Sequence, residues 1–279
     1  MAYKTILVHT DQSPHAPERI RIAVALALAE DAHLVGAALN GISSAMYLSD
    51  ANDLSGDTLA KRIDAQTEQA RGALAQFEGI AKAAGLRSYE ARLLNDDPQG
   101  GLSLQARYSD LVVLSQTELD GARTRLIPNL PEYVVLNSAR PVLIVPHSGT
   151  FASVGKRALV AWDGSMESTR ALTNAIPLLR RADNVALALF NPSKREGVHG
   201  EQPGADIALV LARHGVKVEV LPRHTEIDIG NALLSMATDL DSDLIVMGGY
   251  GHSRFREMLL GGVTKTVLQT MTVPVLMSH

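Results

Sequence analysis

The amino-acid sequence predicts an α/β protein of two tandem five-stranded, mostly parallel sheets with helices on both faces. Three observations carry that expectation. The chain is written twice, its short β-branched apolar runs alternate with longer stretches of helical period, and those runs are apolar on both faces. A strand that shows water neither face belongs inside a parallel sheet covered by helices.

The repeat is read from three blocks. KTILVHTDQS (4–13) matches KRALVAWDGS (156–165), setting Asp11 against Asp163 at an offset of 152 residues. SDLVVLS (109–115) matches SDLIVMG (242–248), and RPVLIVPH (140–147) matches VPVLMSH (273–279), both at an offset of 133. The offset falls by 19, so the first copy carries about that many extra residues near its middle. The expected domains are 1–147 and 154–279, joined where small and polar residues at 147–153 interrupt the apolar pattern.

In the first copy, KTILVH opens as a strand, and the 41–58 stretch, rich in Ser, Asp and Asn, reads as a loop or lid. Leu59, Ile63, Ala70, Leu74 and Phe77 then sustain one long helix that Gly85 can end. The second copy reads as strands at Ala158–Trp162, Val185–Phe190, Val216–Leu221, Leu244–Met247 and Val273–Met277. Between them, Ile229, Leu233, Met236 and Leu240 recur at helical spacing, as do Val263, Val267, Leu268 and Met271. Pro177 sits inside the expected first helix of this copy and should kink or shorten it.

Composition narrows the function. The 279 residues, 46% apolar and 20% charged, have the make-up of a globular chain of about two domains. A net charge of −4 offers no basic field for nucleic acid or an anionic membrane. No cysteine is present, which excludes disulfides, thiolate metal sites and cysteine nucleophiles. The longest apolar run, Ile22 to Ala29, is far short of the roughly 20 residues of a membrane span, and MAYKTILVHTD is too short for a signal-peptide core. A soluble cytoplasmic protein that binds neither nucleic acid nor membrane is expected.

The segment that points to chemistry is MGGYGHSRFREMLLGGVTKTVL (247–268). Glycines after a buried strand let backbone approach an anion closely, and a following helix start offers unpaired N–H groups and the positive dipole end. A turn followed by a helix start is the structural alternative. A dinucleotide fingerprint is excluded because Arg254 stands where its third glycine belongs. A P-loop is excluded because Thr264 precedes Lys265-Thr266 where glycine is required.

These blocks and the glycine spacing resemble the universal stress protein family, in its tandem form with two domains in one chain. ATP-binding members of that family carry G-x2-G-x9-G followed by Ser or Thr; here Gly248, Gly251 and Gly261 keep the spacing, and Gly262 stands where the hydroxyl belongs. The resemblance implies a Rossmann-like fold packed as an intramolecular pseudo-dimer, with the closing strands Pro141–Val145 and Pro274–Met277 meeting near the internal two-fold. It further implies an adenine-nucleotide site, for ATP or ADP/AMP with Mg arriving on the nucleotide. Asp163 would lie near base and ribose, Phe190 beside the adenine, and Gly248, Gly251, His252, Gly261, Gly262, Val263 and Thr264 around the phosphates. Against a nucleotide contact at Asp163 stands a helix-capping role, and against a phosphate contact at His252 a solvated loop histidine.

The first copy departs from this pattern. After SDLVVLS it has no glycine series, and Pro128 and Pro131 occupy the approach to its last helix. Asp11 reads better there as a cap for the Ser13-Pro14 helix start. No metal-binding histidine spacing and no nucleophile elbow is present, and Trp162 reads as core. The expected function is adenine-nucleotide binding by the second domain of a stress-response sensor or regulator. A slow ATPase and a nucleotide-free interaction protein are the alternatives. An unidentified protein partner and further pairing of chains into a homodimer stay open.

Overall fold

The structure, a computed structural model, describes residues 2–41, 56–117, 129–192, 202–251 and 262–279. Its contacts divide the chain into two compact units, Ala2–Arg140 and Pro141–His279.

The N-terminal unit runs β1 (Thr5–His9), α1 (Ala16–Glu30), β2 (His33–Leu39), α2 (Gly56–Ala83), β3 (Tyr89–Leu94), α3 (Pro98–Ala106), β4 (Leu111–Ser115) and α4 (Leu130–Asn137). Its strands lie in the order β3-β2-β1-β4, every pair parallel. The C-terminal unit runs β5 (Val142–Val145), β6 (Arg157–Ala161), α5 (Met166–Leu179), β7 (Asn184–Phe190), α6 (Ala205–Arg213), β8 (Val218–Arg223), α7 (Ile229–Asp239), β9 (Leu244–Gly248), α8 (Val263–Thr270) and β10 (Val275–Ser278). Its order is β5-β10-β9-β6-β7-β8, parallel throughout except where Val142, Leu143 and Ile144 of β5 run against Met277, Leu276 and Val275 of β10. The closing strands thus pair as the resemblance implies. The repeat counts β5 with the first copy, while the division by contacts groups it with β10 in the C-terminal unit.

Burial follows the sheet order. The apolar cores of β4 and β9 are covered on both faces, while the edge strands β3 and β8 are half-exposed or more. The long helix α2 packs through Phe77, whose ring lies so close to Gly36 of β2 that a Cβ there would stand 2.5 Å from it. Gly85, at φ +74, ends that helix as expected. Of the stretch expected as a loop, 42–55 lies outside the described residues, and helix α2 already begins at Gly56. Pro177 lies within α5, which continues past it to Leu179. Trp162 is half-buried and not core, because it sits beyond the last residue of β6, where its N–H extends the ladder to the carbonyl of Ala188.

The repeated Ser-Asp pair ahead of β4 and β9 has a structural role. Asp110 accepts hydrogen bonds from the N–H groups of Lys4 and Thr5. Asp243 accepts four, from the Ser153 hydroxyl and the N–H groups of Gly155, Lys156 and Arg157. Each carboxylate pins the start of the neighbouring first strand and so sets the register at the end of the sheet opposite the candidate site.

Candidate functional site

In the C-terminal unit the chain passes from β6 to β7 and β8 on one side and returns to β9 and β10 on the other. The connections leaving β6 and β9 therefore part at their carboxyl ends, the place where open parallel sheets bind ligands. Trp162-Asp163-Gly164-Ser165 follows β6 there, and Gly249-Tyr250-Gly251 follows β9. The turn after β6 is held by Asp163, which accepts the N–H of Ser165 at 3.0 Å and its hydroxyl at 2.6 Å. Gly164 makes this turn possible with φ +76. Ser165 in turn caps α5 by accepting the N–H of Ser168. Asp163 is thus one step removed from the cap itself, and its carboxyl oxygens organise the rim of the crevice.

The two described glycines of the spacing motif serve different purposes. A Cβ on Gly248 would lie 2.5 Å from the backbone nitrogen of Ser168 and 2.7 Å from the carbonyl carbon of Glu167, so Gly248 lets α5 pack directly on β9. On Gly251 the nearest described atoms that a Cβ would meet belong to the Glu167 side chain, with Oε2 at 2.7 Å. Neither glycine has a positive φ; Tyr250 between them does, at φ 61. Gly251 is therefore a place where room, and not a left-handed backbone, calls for glycine. The Tyr250 N–H donates to the Thr264 hydroxyl at 3.2 Å, tying the loop to α8. The Thr264 proton remains available to donate elsewhere.

Gly262 is the N-cap of α8, extended at φ −72 and ψ 167, with no side-chain cap. Val263 and Thr264 form the first turn of the helix, Thr264 buried. Phe190 ends β7, half-exposed and in register with Arg223 of β8. His252 and Gly261 lie outside the described residues, as do Arg254 and Arg256. Among the described residues no group of three or more His, Asp or Glu is placed to hold a metal ion. No helix among them is long and apolar enough to cross a membrane.

The N-terminal unit fills the equivalent place with its own side chains. At the repeat offsets His9 stands for Ala161, Arg19 for Ala171 and Ser115 for Gly248. Arg19 is 1% exposed; its Nε donates to the His9 carbonyl at 2.8 Å, one terminal nitrogen donates to the Ser115 hydroxyl at 2.7 Å, and the other lies 3.1 Å from the Asp11 carboxylate. Asp11 also accepts the N–H and hydroxyl of Ser13, while the N-cap of α1 is His15, whose side chain makes no capping hydrogen bond. Asp11 therefore serves an ion pair and a turn and not the expected helix cap. These groups are legible only when the copies are laid against each other, since an isolated Arg in an apolar helix says nothing of where its guanidinium goes.

The cluster controls protonation. Burial, reinforced by the Arg19 charge and opposed by Asp11, lowers the His9 pKa to about 4. Burial alone would raise the Asp11 carboxyl, but Arg19, His9 and Ser13 bring it down to about 2. Between about pH 6.5 and pH 4 the unfolded chain takes up a proton at His9 that the folded chain refuses. Stability is complete above that window and is lost as pH falls through it, by roughly 3 kcal/mol at about 1.4 kcal/mol per pKa unit. Amide exchange in β1 and β4 should accelerate between pH 7 and pH 4.5 beyond its intrinsic pH dependence, and His9→Gln should remove most of that acceleration. An unchanged pH profile in the variant would assign the acid sensitivity elsewhere.

Comparison with known proteins gives a consistent result. The model of the family described as "Universal stress protein family" matches residues 2–146 and again 155–279. A universal stress protein from Synechocystis is 30% identical over 152 residues, 52% of this chain and 49% of the relative. The matched region is about half the length of that relative. The crystal structure of a universal stress protein from Archaeoglobus fulgidus superposes with a TM-score of 0.77 at 20% identity, covering 98% of this chain and 95% of that one, which shows a shared fold. A universal stress protein crystallised in complex with cAMP is 27% identical over 53% of this chain and 100% of its own, with a TM-score of 0.39.

Proposed function

Because the chain belongs to the universal stress protein family in both of its copies, we propose that it is a cytoplasmic stress-response sensor or regulator whose second domain, 154–279, binds one adenine nucleotide, ATP or its ADP and AMP relatives. The observation that carries this reading is the contrast between the copies. Where the N-terminal unit places His9, Arg19 and Ser115, the C-terminal unit has Ala161, Ala171 and Gly248 beside a glycine loop. The degenerate first domain, 1–147, serves packing, an unidentified protein partner or a different ligand.

The residues present fit a nucleotide. Gly262 supplies no side-chain cap, so the first-turn N–H groups of α8 are unclaimed by a side chain and point along the positive end of the helix dipole. The Thr264 hydroxyl, already accepting from Tyr250, can donate its proton to a phosphate oxygen. Asp163, two residues beyond β6, and Phe190, the last residue of β7, stand at the carboxyl ends of these strands, the side where ribose and adenine would lie, and His252 and Gly261 belong to the proposed phosphate loop through the family spacing alone. A bound polyphosphate would supply the negative charge that this backbone-lined site is built to receive.

The test is occupancy. Protein purified without added nucleotide and then denatured should release adenine nucleotide, and calorimetry on the stripped chain should return about one site. Two equivalent sites, or none with ATP, ADP, AMP and adenosine, would defeat the proposal.

Gly262→Ser probes the departure from the family pattern. The extended backbone there suits any residue. One restored hydrogen bond to phosphate, worth about 0.5–1.5 kcal/mol, should tighten ATP binding roughly two- to tenfold and leave adenosine unchanged. The apo protein should gain only a few tenths of a kcal/mol from the new cap. Weaker ATP binding in the variant would show that position 262 is not the hydroxyl position.

A further inference from the structure

We propose that the Glu167 carboxylate makes the C-terminal crevice selective for a nucleotide polyphosphate carrying a divalent cation over the free anion. The inference rests on the nucleotide reading above and specifies the charge state of the ligand.

Glu167 is the second residue of α5 and is 8% exposed. Its backbone and Cβ lie against Gly248, and its Oε2 stands 2.7 Å from the position of a Cβ on Gly251. The carboxylate therefore lies on the backbone that the glycine spacing leaves bare. Among the described residues none donates a hydrogen bond to this carboxylate or pairs with it. The residue as a whole is buried, yet its carboxylate oxygens keep contact with solvent, so the charge stands open to the crevice with no counter-charge beside it among the described residues, favoured there by its place in the first turn of α5. At the repeat offset the N-terminal unit has His15, so the acid belongs to the copy that keeps the glycines.

A phosphate approaching the Gly251 backbone meets this carboxylate. Two anions a few ångströms apart in a partly desolvated crevice repel strongly, and a divalent cation between them reverses the sign of the interaction. Magnesium is commonly held by one or two protein carboxylates with substrate phosphates and waters filling the octahedron. One acid suffices for that arrangement. Glu167 would thus be a single protein ligand to a cation that enters with the nucleotide.

Calorimetry on the full chain tests this with magnesium ATP, ATP in EDTA, and adenosine as the phosphate-free probe. Wild type should bind magnesium ATP at least about tenfold more tightly than metal-free ATP. Glu167→Gln keeps the size of the side chain and removes its charge. It should strengthen metal-free ATP binding until the ratio falls below about threefold, with adenosine affinity moving less than about twofold. Glu167→Ala provides the same reading should the glutamine variant prove unstable.

A wild-type ratio near one, or a ratio unchanged in the variants, overturns the role of Glu167 and leaves nucleotide binding standing. Adenosine shifting in parallel with ATP also overturns it, because Glu167 would then act through shape. Failure of adenosine and both forms of ATP to bind wild type overturns the nucleotide reading and this inference together.

Discussion

Replacing Arg19 with Ala should destabilise the N-terminal unit by about 3 kcal/mol, the lower end of the range for removing one partner of a buried ion pair. Three acceptors lose their donor at once: the His9 carbonyl, the Ser115 hydroxyl and the Asp11 carboxylate. The lower end applies because the Asp11 side chain is 35% exposed and keeps part of its hydration. The single Trp of the chain, Trp162, lies in the C-terminal unit, so its fluorescence reports that unit alone. Amide exchange in β1 and β4 reports the other, and it should accelerate by about a hundredfold. Asp11→Ala added to Arg19→Ala should cost much less than Asp11→Ala alone, since the pair acts as a unit. A loss below about 1 kcal/mol, or strict additivity, would mean that the guanidinium is held by packing and not by its polar partners.

Gly251→Val should reduce adenine-nucleotide affinity at least about a hundredfold, roughly 2.8 kcal/mol, while the protein stays folded. The new side chain would meet the end of Glu167, which can swing away, and would then occupy the face of the loop that phosphate must reach. Gly248→Ala is the contrasting variant. Its Cβ would press on backbone atoms of Ser168 and Glu167, and backbone cannot step aside, so α5 must shift off β9 and stability should fall with or without ligand. Unchanged nucleotide affinity in a well-folded Gly251→Val protein would reduce the glycine series to a turn. An intact, stable Gly248→Ala protein would remove the packing role assigned to that glycine.

Much of this molecule was legible before any coordinates. The alternation of apolar runs with helical stretches predicts the strands of the second copy, most plainly the buried β9, because a strand buried on both faces can tolerate few polar residues. The glycine spacing after β9 was equally legible, since a missing side chain at fixed intervals is a property of the sequence itself. What each glycine is for was not. Gly248 and Gly251 look alike in the sequence, yet one clears the way for a helix backbone and the other faces a carboxylate.

The sequence by itself determined the α/β class, the duplication, the family and the copy that keeps the glycine spacing, all of which depend on residue types at local or repeated spacing. Only the tertiary structure decided the antiparallel register in which β5 meets β10, with Leu143 opposite Leu276, since pairing across the chain follows from strand edges meeting in space. It also decided that Arg19 turns inward onto His9, Asp11 and Ser115, and that Glu167 comes to rest beside Gly251, 84 residues further along. The physical reason is the same in each case. Where a long charged side chain ends depends on which carbonyls, hydroxyls and cavities the folded chain brings within a few ångströms, and no local pattern in the sequence carries that distance.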